Sequence, residues 1–315
     1  MMAVSTLTLM LTAGSASAQK LNLCANDWPV NEFLRGMEKL GQLNEFNVQH
    51  DKFATCVYKL KKGQTDMMSC ITLFEFIACQ QESANNVFIA VMDYSAGGDV
   101  IILRPEIKSA SELKGKTVGV QADCLSIHLL HLYLEKNGMS LNDVKLANMT
   151  VENLGKAYIN NKSLAGIVGW PPSSDEAVSA GGKLAASSKD FPEKIIDGFA
   201  VNRESLQKNR AVYKEFLKKW FAAVRNPAVL EKSAEDLKVG VSEFKQWLEG
   251  AYIYQDAAAS LQTFPKMKAV AEELQAFFKT KPASITGSAA RLFGKEPLNT
   301  DSWFDDSLLK ELAEE

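Results

Sequence analysis

The residues best suited to chemistry in this 315-residue chain stand where strands end and helices begin. Cys124 and Ser126 open a leucine-rich run, Leu125 to Leu134, with helical spacing. Free N–H groups at a helix start, the Ser126 hydroxyl and the positive end of the helix dipole suit a sulfonate, carboxylate or nitrate without an arginine. Asp123 puts a carboxylate beside that seat and weighs against a simple inorganic anion. Trp28 and Trp170 each follow a strand and precede a proline. One such tryptophan is ordinarily a core residue. Two in matched places predict facing walls that stack a planar ring or hold an ammonium by a cation–π attraction of about 0.5–2 kcal/mol. Asp99, behind Gly97-Gly98, is placed to receive an amine or equally to cap its own loop. Asp27 stands similarly beside Trp28, and Thr55 and Thr72 offer hydroxyls to a ligand oxygen or simply cap helices.

A thiol enzyme is the alternative from a different class. Cys124 at a helix start would have a lowered pKa, with His128 one turn further on. No orienting third residue or oxyanion loop accompanies the pair. The five cysteines, Cys24, Cys56, Cys70, Cys79 and Cys124, leave at least one thiol unpaired within a monomer. Buried small hydrophobes are the general reading, and a Cys56–Cys79 bridge is one option. Neither the cysteine spacing nor His50, His128 and His131 make a metal pattern, so no metal and no cofactor are expected.

The elements that must position these residues alternate. Strands are predicted at Leu21 to Ala25, Phe46 to His50, Thr65 to Ile71, Val87 to Met92, Val100 to Leu103, Thr117 to Val120 and Ala165 to Gly169. Helices lie between them, from Asn31 to Leu40, from Thr55 to Leu60, from Leu73 to Ala84 and onward from Leu125. Such alternation predicts an α/β protein with mostly parallel sheets. Arg104-Pro105 and the apolar run Ile195 to Val201 read as crossings between two lobes, residues 19–104 plus 200–315 and residues 105–199. Amphipathic helices after Asn202 are expected to pack on the first lobe. Residues 1–18 read as a signal peptide cut after Ala18, with an uncharged apolar stretch too short to span a bilayer, so an exported, periplasmic protein is expected. A net charge of −3 gives no basic excess for nucleic acid, and 46% apolar with 23% charged residues describes an ordinary globular chain.

Three runs carry a resemblance: KSASELKGKTVGV (Lys108 to Val120), GGDVIILRP before it, and VGWPPSSDEA from Val168. Together they resemble the solute-binding proteins of ABC importers for sulfonates, taurine, nitrate and thiamine-precursor pyrimidines. The resemblance implies a type II periplasmic-binding-protein clamshell, two lobes joined by two crossings over a ligand cleft. It implies an ABC permease and ATPase at the inner membrane as partners, a small-molecule ligand, aromatic ligand contacts at Trp28 and Trp170, and an acidic one at Asp99. A monomer that binds a sulfonate or taurine-like zwitterion is the leading expectation. A planar amine-bearing heterocycle comes second, and nitrate third.

Overall fold

Short apolar strands that pass straight into amphipathic helices cannot bury both faces alone, so they stack into sheets covered by those helices. The computed structural model describes residues 19–83 and 85–315; the signal peptide read from residues 1–18 lies outside the described residues. In chain order the first part holds β1 (Leu21–Ala25), α1 (Phe33–Lys39), β2 (Phe46–His50), α2 (Phe53–Lys61), β3 (Met67–Thr72), α3 (Leu73–Gln80) and β4 (Asn86–Ser95). The middle holds β5 (Val100–Leu103), β6 (Thr117–Val120), α4 (Leu125–Lys136), β7 (Lys145–Asn148), α5 (Val151–Asn160), β8 (Leu164–Gly169), α6 (Ser173–Ser179) and β9 (Lys183–Ser187). The last part holds β10 (Ile196–Asn202), α7 (Arg203–Lys208), α8 (Arg210–Ala223), α9 (Pro227–Leu237), α10 (Val241–Leu248), β11 (Ala251–Ile253), α11 (Ala257–Lys279) and α12 (Ser307–Ala313). Among the described residues, no helix is long and apolar enough to cross a membrane.

Two sheets result, one of six strands in the order β11-β4-β10-β3-β1-β2 and one of five in the order β7-β6-β8-β5-β9. This is the two-lobed α/β clamshell that the resemblance implied, but its sheets are mixed rather than mostly parallel. β1 runs parallel to β2 and β3, and β6 to β7 and β8. β10 is antiparallel to β3 and β4, and β5 to β8 and β9. The crossings explain this. β4 leaves the first sheet at the hinge and β10 enters it there, so neighbours at that seam must run in opposite directions.

The structure places the first crossing at Ala96 to Asp99, ahead of the Arg104-Pro105 read from the sequence, because β5 already pairs in the second sheet. Arg104 stays inside that lobe, its guanidinium over the Tyr158 ring at 4.0 Å and donating to the carbonyls of Leu164 and Asn161, each at 3.0 Å. The return crossing runs beside the first: the Ser188 hydroxyl meets the Ser95 hydroxyl at 2.8 Å and accepts from Gly97 N at 2.7 Å. Gly97 turns there with φ at 125°, a conformation open to glycine.

The C-terminal helices cover the first sheet, with Trp220 of α8 edge-on to Phe199 at 5.1 Å. They also reach the second lobe. Phe277 of α11 packs 5.5 Å from His128 of α4, and Ala283 N donates to Asn142 Oδ1 at 2.9 Å. A Cys24–Cys56 disulfide ties β1 to α2, where the sequence had offered Cys56–Cys79; Cys70, Cys79 and Cys124 are free and buried.

Candidate functional site

β1, β3 and β8 end at the seam between the lobes, and the residues just past those ends form the walls of a cleft, as strand ends do in open α/β sheets. The cleft opens partly to solvent, and its free space, the open part included, comes to about 340 Å³. From the first lobe it receives Asn26, Asp27 and Trp28 after β1, Phe53 at the start of α2, and Cys70 and Thr72 of β3. Leu125 and Trp170 enter from the second lobe, Asp99 from the first crossing and Asp197 from the start of β10. Trp28 and Trp170 therefore share one cavity, and Phe53 meets Trp170 edge-on at 6.3 Å. Gly98 lies against the other indole. A Cβ on it would come within 2.5 Å of Trp28 Cη2, so Gly98→Ala is expected to push that ring from its seat. We expect weaker binding of any ligand that uses this wall, read by titration, with the melting temperature changed little.

The floor is acidic. Asp99 and Asp197 are 2% and 3% exposed, and Asp93 and Glu75 beneath them are 0% and 3% exposed. Burial pushes the carboxyl of Asp99 up to about 6, and those of Asp93 and Glu75 up to about 8. Burial followed by the neighbouring Asp93, Asp99 and Glu75 raises Asp197 well above the usual carboxylate range. Trp28 Nε1 donates to Asp93 Oδ1 at 3.3 Å, while Asp93 Oδ2 and Asp99 Oδ1 have no hydrogen-bond partner. Among the described residues, no lysine or arginine lines the cleft.

The helix start proposed as an anion seat is already filled. Leu125 N donates to Glu75 Oε1 at 2.8 Å, so a carboxyl from α3 of the first lobe caps α4 of the second. Cys124 and Ser126 are buried at 1% and 0% exposure and do not line the cleft, and Asp123 is exposed. Burial drives the Cys124 thiol upward, opposite to what a nucleophile needs, and His128 is pushed down to about 3 by burial, stacked on Phe74 at 6.4 Å. The arrangement thus gives no thiol–imidazole pair.

Of the other residues singled out, Thr72 lines the cleft while capping α3, its Oγ1 accepting from Glu75 N at 3.3 Å and pairing with the Glu75 carboxyl. Thr55 sits inside α2, exposed and away from the cleft, because the helix begins two residues earlier at Phe53 with Lys52 as its cap. Asp27 stands at the exposed rim. Sequence reasoning missed Asn26, Phe53, Cys70, Leu125 and Asp197 in the lining, and Glu75 and Asp93 below it. The acids carried a readable signal. Each is a lone carboxyl inside an apolar run, LFEFIAC, VFIAVMDY and IIDGFAV, and such groups are almost never buried without a partner.

Residues 87–224 match the family model described as NMT1/THI5 like. That stretch is NMT1/THI5-like. The NMT1/THI5-like segment covers a little under half of the chain and contributes Asp93, Asp99, Leu125, Trp170 and Asp197, while Trp28, Cys70 and Thr72 lie before it. A protein of Brucella abortus (strain 2308), named provisionally as a binding protein with no ligand given, is 30% identical over 196 residues, 60% of this chain and 56% of that one. The chain therefore spans a little over half the length of the curated relatives it matches. Among solved structures, the alkanesulfonate-binding protein SsuA from Xanthomonas axonopodis pv. citri, bound to MOPS, superposes with TM-score 0.62 at 14% identity, over 80% of this chain and 93% of its own. The ligand-binding component of an ABC-type import system from Staphylococcus aureus, with zinc bound, does so with TM-score 0.68 at 13% identity, over 93% and 99%. At such identities the likeness shows the fold, that of the periplasmic binding proteins.

Proposed function

We propose that this chain is the periplasmic solute receptor of an ABC importer, and that its solute is a small planar organic molecule bearing a positively charged amine. The observation that carries this reading is the acidic lining of the cleft: Asp27, Asp99 and Asp197 line it with no lysine or arginine among the described residues, and the Asp99 carboxyl, pushed up only to about 6, is ionised at neutral pH. A sulfonate would lie against buried carboxyls with the α4 N-terminus already taken by Glu75, and an unpaired charge out of water costs several kcal/mol. An amine instead meets the free oxygen of Asp99, while Trp28 and Trp170 cover a flat ring. Desolvated cation–π contact adds about 2 kcal/mol. This reverses the order of ligands read from the sequence, since a taurine-like zwitterion keeps a partner for its amine but none for its sulfonate. The sulfonate remains the second reading because the Xanthomonas structure is named for alkanesulfonate.

In this mechanism the solute stacks first on Trp28 of the open first lobe, and Trp170 closes over it as the two crossings bend. The solute shifts that balance only by its greater affinity for the closed form. The closed form is what the permease and ATPase recognise. A thermal-shift panel of aminopyrimidines, primary amines, taurine, alkanesulfonates and nitrate tests the reading. The expected result is a raised melting temperature with the amine-bearing heterocycles alone. A rise with sulfonates and none with amines would overturn it.

A further inference from the structure

Asp93 and Asp197 face each other directly across the antiparallel β4–β10 pair. Two carboxylates in that relation repel, and sheets avoid it. Cys70 arrives from β3, on the other side of β10, through a left-handed backbone with φ at 56°. Its sulfur and one oxygen from each aspartate all lie within 4.8 Å of one another. The three residues are 2%, 0% and 3% exposed, and Asp93 Oδ2 has no hydrogen-bond partner. Three acidic groups are thus held together out of water, with a buried oxygen that no protein donor serves.

We propose that Cys70, Asp93 and Asp197 form a binding site for a thiolate-seeking divalent cation, of which Zn²⁺ is the type, in the floor of the solute cleft. One sulfur and two carboxylate oxygens suit zinc, whereas Mg²⁺ and Ca²⁺ want oxygen alone. Cys70 and Asp197 also line the cleft, so water or a solute atom can complete the four positions zinc takes. Trp28 Nε1, donating to Asp93 Oδ1 at 3.3 Å, orients that carboxylate from outside, the support metal ligands ordinarily have. The cation displaces protons from the thiol and the carboxyls, so it binds more tightly as pH rises. Asp99 is left free for the amine of the solute, and in this respect the inference deepens the reading of the cleft given above and rests on it.

Cobalt(II) added to the metal-free chain, with zinc as competitor, tests the site. We expect a thiolate-to-cobalt charge-transfer absorption that saturates at one equivalent and is abolished by Zn²⁺, with a melting temperature raised by Zn²⁺ but not by Mg²⁺. Cys70→Ser is expected to lose the absorption, and Cys79→Ser and Cys124→Ser to keep it. Should Cys70→Ser fail to fold, Asp93→Asn serves instead, with cobalt affinity lowered tenfold or more. No absorption at saturating cobalt, an absorption that survives in Cys70→Ser, or an unchanged cobalt affinity in Asp93→Asn would overturn the site. Asp99→Asn separates the two readings: it should keep the cobalt signal and lose the amine solute. A cobalt signal with no amine binding in the unsubstituted chain counts against the solute alone, and amine binding with no cobalt signal against the metal alone.

Discussion

Stripped of solute and metal, the protein is expected to lose stability as pH rises from 6.5 to 8. Burial holds the carboxyls of Glu75 and Asp93 up to about 8 in the folded chain and raises Asp197 further in the same direction. In the unfolded chain these groups shed their protons near pH 4. The folded state therefore binds more protons across this window, and stability gained at low pH is lost as pH climbs through the folded values. Each such proton is worth about 1.4 kcal/mol per pH unit, so two of them across this window would cost up to about 4 kcal/mol. His128 works the other way. Its folded value is pushed down to about 3, so it costs stability only as pH falls below its ordinary value, near 6.5. The upper window is therefore the clean one. The measurement is denaturant unfolding at fixed temperature at pH 6.5, 7.2 and 8, with and without Zn²⁺. Asp93→Asn should flatten the fall, and Zn²⁺ should reverse it. A level or rising stability in the metal-free protein would mean that the carboxyls are already ionised in the folded state.

Replacing Asp99 with asparagine should cost solute binding about 2–5 kcal/mol, the range for truncating one partner of a buried charge pair, or roughly thirtyfold and more in Kd. Asp99 Oδ1 is buried without a partner, and Asp99 lines the same cleft as Trp28, Trp170 and Asp197. An amide of the same size keeps the packing but offers no charge to an ammonium. Folding should not suffer, since the substitution removes a carboxyl that burial already pushes up to about 6. Isothermal titration with the best amine from the thermal-shift panel gives the number. Unchanged affinity would remove Asp99 from the binding of the amine.

The sequence carried the architecture because architecture rests on patterns that neighbouring residues make among themselves. The apolar run Thr117 to Val120 followed by leucines from Leu125 specifies a strand and then a helix without knowledge of anything distant. The Gly97-Gly98 turn and the proline after each tryptophan mark breaks for equally local reasons. In the same way Trp28 and Trp170 were legible as residues at strand ends, and the cleft contains both. Strand direction was less legible. Nothing in Ile196 to Asn202 itself says that it will run antiparallel to β4, since that follows from where the chain re-enters the lobe.

What the sequence alone determined is thus the elements, the two-lobed plan and the place of Trp28 and Trp170 just past strand ends. Only the tertiary structure decided the charge of the site. Glu75 reaches Leu125 across 50 positions, Asp93 faces Asp197, and Cys24 rather than Cys79 finds Cys56. The physical reason is that periodicity and capping act over a few residues of chain. The pairing of a buried carboxyl depends on which distant group the fold sets beside it, and here that turned an expected anion seat into an acidic cleft.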